Sequence, residues 1–154
     1  MRPLERLEKT WNLPLGHYDR TAAEEAVERE YEKCKLIELA WMKRLGKKRK
    51  HLNYLSLNDA CKLVYDICHA LGYRCPSRLI LRSKEVPPMA AACYLVGRRE
   101  IHFVFTAISV RILIHELTHH VLHEDKKLCH THGSEFCDYE MILIEVTEEV
   151  LRKS

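Results

Sequence analysis

The 154-residue chain carries 25 Lys and Arg against 22 Asp and Glu, a formal net charge of +3, with 47% hydrophobic and 31% charged positions. That length suits one domain with a buried core, and the balance excludes a disordered, collagenous or low-complexity chain. The longest apolar runs are a handful of residues against the roughly 20 that cross a bilayer, so no membrane partner is expected. The start, Met1-Arg2-Pro3-Leu4-Glu5-Arg6, has charges where a secretory signal has an apolar core, which predicts a cytoplasmic, intracellular protein. Free thiols are then the default, and the seven cysteines include no C-x-x-C pair to suggest a disulfide framework or a zinc ribbon. Charge is unevenly spread. Lys33 to Lys50 holds eight bases and one acid, Glu38, whereas Glu135 to Lys153 holds six acids and two bases. Lys47, Lys48, Arg49 and Lys50 form a basic cluster that suits either a solvated loop or phosphate contacts with DNA.

In chain order, Val27, Tyr31, Cys34, Ile37, Trp41 and Leu45 recur at helical spacing and predict a helix over Thr21 to Leu45, ended by Gly46. A second helix is predicted from a Ser56 cap, with the stripe Leu57, Ala60, Cys61, Val64, Cys68 and Leu71 and a stop at Gly72. Short extended segments follow at Arg78 to Arg82, Ala91 to Val96 and Glu100 to Phe105. Gly97-Arg98-Arg99 reads as a hairpin turn in which glycine supplies a positive φ, and Pro87-Pro88 marks the loop before it. A third helix is predicted over Ser109 to His123 and a fourth from Ser134 onward.

The third helix carries His115-Glu116-Leu117-Thr118-His119, the H-E-x-x-H pattern. Two histidines four apart project from one helical face and can share one zinc ion, while Glu116 is rotated by about 100 degrees and can act on the attacking water as general base. Val110, Leu113, Ile114, Leu117 and Val121 form an apolar stripe on the other side, so the helix is anchored while its ligands face a cleft. A catalytic zinc needs a third protein ligand. His132 is the candidate: it precedes Gly133, which permits a chain reversal, and Ser134, which can cap the last helix. His130 is its rival two residues earlier, and a Cys129 ligand would make a closed structural site. His123 lies about 12 Å of helix rise from His115 and cannot share its ion. His120 reads as a satisfied structural histidine, His102 as a cleft or solvent residue, and Tyr94 and Tyr139 as packing residues rather than oxyanion donors.

His115 to His119 followed by His132-Gly133-Ser134-Glu135-Phe136 resembles the SprT-like family of zinc metallopeptidases, the group that includes the DNA-protein crosslink protease Spartan. The resemblance runs from about Leu57 onward. It implies one domain over residues 1–154, in which 1–51 form a loosely matched N-terminal helix and basic loop and 52–154 a zincin core. The implied fold is α+β and zincin-like, with helices packed on a small, mostly antiparallel three-stranded sheet. It implies Zn2+ held by His115, His119 and His132, Glu116 as the catalytic residue, and Glu100 to Phe105 as a cleft wall that pairs with extended peptide.

The expected function is therefore zinc-dependent hydrolysis of peptide bonds in intracellular protein substrates, with DNA association through the Lys47 to Lys50 cluster and a nucleoid or nuclear site if so. Two alternatives stand beside it. One is a regulatory protease of ImmA/IrrE type, which takes its third ligand from a glutamate of the next helix. The other is a non-catalytic, metal-stabilised module that binds nucleic acid.

Overall fold

The computed structural model describes residues 32–44, 54–82, 92–104, 108–127 and 132–153. They hold a helix over 32–44 (α1), helix Leu57–Leu71 (α2), strands Arg78–Arg82 (β1), Ala92–Leu95 (β2) and Glu100–Val104 (β3), and helices Val110–Lys126 (α3) and Ser134–Lys153 (α4). The class is α+β. The predicted stretch from Thr21 to Tyr31, the Lys47 to Lys50 cluster, Pro87-Pro88, Cys129 and His130 lie outside the described residues.

Helix α2 begins and ends where its caps dictate. The Ser56 hydroxyl accepts from the Asp59 N–H at 3.1 Å, and Gly72, in the left-handed region at φ 77°, lets the Tyr73 N–H reach back to the Cys68 carbonyl at 3.0 Å. Its buried face is Ala60, Leu63, Val64, Ile67 and Cys68, whereas Cys61, expected on the stripe, is exposed. The stripe runs on from Ala60 through Leu63 and Val64, one step around the helix from Cys61.

The sheet is mixed rather than mostly antiparallel. Its order is β1-β3-β2, with β3 antiparallel to β2 but parallel to β1, pairing Leu79 with Ile101 and Leu81 with Phe103. Strand β3 is thus central, and both of its backbone edges are already paired. The expectation that Glu100 to Phe105 pairs with a peptide fails for that reason over Glu100–Val104; among the described residues the open strand edge beside α3 is that of β2. The hairpin turn also differs from expectation. Arg99, the last loop residue, takes the left-handed conformation at φ 53° and donates its N–H to the Val96 carbonyl at 3.2 Å, while Gly97 has no positive φ.

One apolar core joins these elements. Ile101 and Phe103 of β3 are fully buried together with Leu113 and Leu117 of α3 and Leu143 of α4, each contributing about 1.5–3 kcal/mol by leaving water. Helix α3 is capped by the Ser109 hydroxyl, which accepts from the Ile112 N–H at 3.2 Å, and it runs past His123 to a left-handed stop at Lys127. Its predicted stripe, Val110, Leu113, Ile114, Leu117 and Val121, is buried throughout.

Helix α1 is covalently tied to α4. Cys34 and Cys137, 103 residues apart, form a disulfide with 5.7 Å between their Cα atoms, so the expectation of free thiols fails at this pair. Nothing local in sequence marks such a pairing, since connectivity follows from the packing of the two helices. Among the described residues no helix is long and apolar enough to cross a membrane.

Candidate metal centre

Helix α3 projects His115 and His119 from one face, and the chain entering α4 brings His132 against them. The Nε2 of His132 lies 2.9 Å from that of His115 and 3.2 Å from that of His119. Donors on a tetrahedral ion at about 2.05 Å lie about 3.3 Å apart, close to this spacing. The chemistry of the set points the same way. One ring nitrogen offers either a proton or a lone pair, so His132 cannot satisfy both neighbours by hydrogen bonding, whereas a cation between them takes a lone pair from all three. The three side chains can therefore hold a metal ion.

His132 is placed by the start of α4, in a slightly different way from that expected. The Cys137 N–H bonds the Gly133 carbonyl at 3.1 Å, which puts Gly133 at the cap position and Ser134 inside the helix. Phe136, one turn in, is fully buried and floors the cluster, its ring centre 5.0, 4.7 and 4.8 Å from those of His115, His119 and His132. An apolar floor excludes water from beneath the donors.

Glu116 leaves this face. It is buried, takes a hydrogen bond from the Tyr94 backbone of β2, and sits close enough to Cys93 that its charge, after burial, pushes that thiol up. Burial, helped by the charge of Glu38, raises the Glu116 carboxyl to about 6 against the opposing pull of His115. A carboxylate tuned to that range takes and returns a proton near neutral pH.

Two further carboxylates, which sequence reasoning passed over as functional residues, flank His115 on its far side. Glu38 of α1 accepts from His115 Nδ1 at 2.6 Å, and its other oxygen accepts from Arg111 Nε at 3.0 Å. Glu140 of α4 lies 3.6 Å from the same Nδ1. Burial raises Glu38, but hydrogen bonds from His115 and Glu140, the His115 charge and the Arg111 hydrogen bond outweigh it and hold the group at about 2; Glu140, buried and hydrogen-bonded to Glu38, rises to about 8. Burial lowers the His115 ring, and the two carboxylates outweigh it, lifting the ring to about 10. The same negative charge attracts a cation to Nε2, where it competes with the proton for one lone pair.

The remaining predicted residues are elsewhere. His120 is buried, with Nε2 donating to the Arg74 carbonyl at 2.7 Å and Nδ1 accepting from the Tyr94 hydroxyl at 2.9 Å, which is the satisfied structural role expected of both residues. Tyr139 donates to the Asp125 carboxylate. His102 is buried, not solvent-facing, and bonds Glu100 at 3.1 Å. Neither His102 nor His123 joins the three-histidine group, and Glu140 groups with Glu38 and His115 but not with His119. Comparison with protein-family models, with curated proteins and with solved structures gives no match for this chain.

Proposed function

We propose that the chain is a zinc-dependent metallopeptidase of SprT-like type that hydrolyses peptide bonds of protein substrates. The observation that carries this reading is the convergence of the three Nε2 atoms of His115, His119 and His132, with Glu116 buried beside them on the same helix. Three imidazole nitrogens and an apolar floor suit zinc better than a hard cation such as magnesium or calcium, which takes oxygen ligands. Zinc held there supplies Lewis acidity toward a substrate carbonyl. Glu116 takes a proton from the attacking water and returns it to the leaving amine, held in place by the Tyr94 backbone. The edge of β2, which has no strand partner among the described residues, offers backbone groups to an extended peptide beside Glu116.

The ImmA/IrrE alternative is disfavoured, because its ligand glutamate must reach both helix histidines and Glu140 groups only with His115 and Glu38. The test is cleavage of an unfolded protein by zinc-loaded chain, compared with Glu116→Gln. Activity that is lost on substitution and on chelation, and restored by zinc, supports the reading. A wild-type chain that binds zinc but shows no turnover on any unfolded substrate, or equal turnover by the variant, overturns it.

A further inference from the structure

Glu38 is an acid on an apolar stripe. Along α1 it follows Cys34 by four residues and precedes Trp41 by three, and all three side chains are buried. A carboxylate buried to that degree is costly unless its oxygens are satisfied. Here both are: Oε1 by His115 at 2.6 Å and Oε2 by Arg111 at 3.0 Å. Arg111 and His115 stand four residues apart on α3, so one carboxylate spans a turn of the metal helix. Because a carboxylate only accepts, the proton of this contact sits on His115 Nδ1, and Nε2, which faces His132 at 2.9 Å, is the ring nitrogen left for a metal ion.

The helix that brings Glu38 is fastened at the same level. Cys34, one turn before Glu38, is bonded to Cys137, the neighbour of the Phe136 ring that floors the three imidazoles. Disulfide, carboxylate and floor thus form a continuous path around His115.

We propose that Glu38 is a positioning residue, holding His115 in the tautomer and ring orientation that the three-histidine site requires, and that the Cys34–Cys137 disulfide keeps Glu38 within reach. The inference deepens the metal reading above and rests on it. Carboxylates in this outer position are worth about 10- to 100-fold in metal affinity.

The experiment is titration of the purified full chain with Co2+, read by its visible absorption, and with Zn2+, read by competition against a coloured chelator. Glu38→Ala should weaken binding by about 100-fold and shift the Co2+ spectrum, while Glu38→Gln, which keeps an acceptor oxygen at the same reach, should cost only about 10-fold. The Cys34→Ser/Cys137→Ser double variant should also weaken binding, and adding Glu38→Ala to it should cost less than the sum of the two losses, as expected of groups acting through one contact. Glu38→Ala with wild-type affinity and spectrum overturns the positioning role; strictly additive losses overturn the role of the disulfide. If Glu38→Ala fails to fold, Glu38→Gln and the double variant decide, and unchanged affinity in both overturns the proposal. A wild-type chain that takes up no metal, or a His132→Ala variant that keeps it, overturns the metal reading itself. Metal uptake that needs His132 but ignores Glu38 overturns this inference alone.

Discussion

Replacing His132 with alanine gives the sharpest measure of the metal site, provided the metal-induced change is read rather than absolute stability. The substitution removes one of three donors, the one within 2.9 and 3.2 Å of the other two. An outer-sphere partner is worth up to about 100-fold in affinity, so a direct donor is worth at least about that. With metal well above both dissociation constants, a 100-fold difference removes about 2.7 kcal/mol of metal-conferred stability. For a chain of 154 residues, each kcal/mol moves the melting temperature by about 2–4 °C, so the gap between zinc-loaded and chelated protein should narrow by about 5–11 °C. Absolute melting temperatures would mislead, because the same substitution strips a ring from Phe136, whose centre lies 4.8 Å away; that loss appears in both states and cancels. Differential scanning fluorimetry with and without chelator makes the measurement, and His123→Ala is the control, since His123 is outside the cluster. A variant His132→Ala that keeps the full metal-induced shift, or a His123→Ala that loses as much, refutes the assignment.

Under the proposed division of roles, in which Glu116 handles a proton and supplies no ligand, Glu116→Gln should keep the wild-type metal-induced shift while hydrolysis falls by about 10²- to 10⁴-fold; loss of the shift in the same assay would contradict it. Tyr94→Phe removes the donor to His120 Nδ1 and leaves a buried acceptor unsatisfied, so urea unfolding should show a loss of about 1–3 kcal/mol. Glu124 is pushed up by burial but pulled below its ordinary value by the Arg74 hydrogen bond and charge and by Arg99. A lowered carboxylate contributes stability above the unfolded pKa of about 4.3 that is lost as pH falls through the folded value. Glu124→Gln should therefore flatten the acid limb of a stability profile below about pH 4.3, and an unchanged limb would show that the Arg74 pairing is worth nothing there.

Much of the helical frame was legible because its signals are local. Ser56 and Gly72 act as caps where their residue types predict, Ser109 caps the helix it was expected to begin, and the stripe from Val110 to Val121 is buried as its spacing requires. The convergence of the three histidines was legible for the same reason, two of them being four apart on one helix and the third standing at the entry to the next. Sheet order was not. The hairpin between β2 and β3 is a local feature, but the parallel partnership of β1 with β3 depends on how β1 docks across the sheet, and neither strand's composition distinguishes a central from an edge position. Placing β3 at the centre moved the free edge from the strand before the metal helix to β2. The disulfide was invisible on similar grounds, since no spacing rule links cysteines 103 residues apart.

Glu38 and Glu140 carried a signal that composition conceals. Counted as charges, Glu38 is the single acid in a basic run and Glu140 one acid among six. Placed on their helices, both fall on apolar stripes: Cys34, Glu38, Trp41 on α1, and Phe136, Cys137, Glu140, Leu143, Ile144 on α4, and every one of these side chains is buried. An acid at a core position of an amphipathic helix needs a hydrogen-bonding partner, because its desolvation is otherwise uncompensated. The partner must itself be a donor on a neighbouring core-facing helix. Arg111 and His115 meet that description, four residues apart on α3, and His115 is also a member of the H-E-x-x-H pair. The periodicity that predicts α1 as a helix thus already contains the argument that α1 packs against the three-histidine cluster.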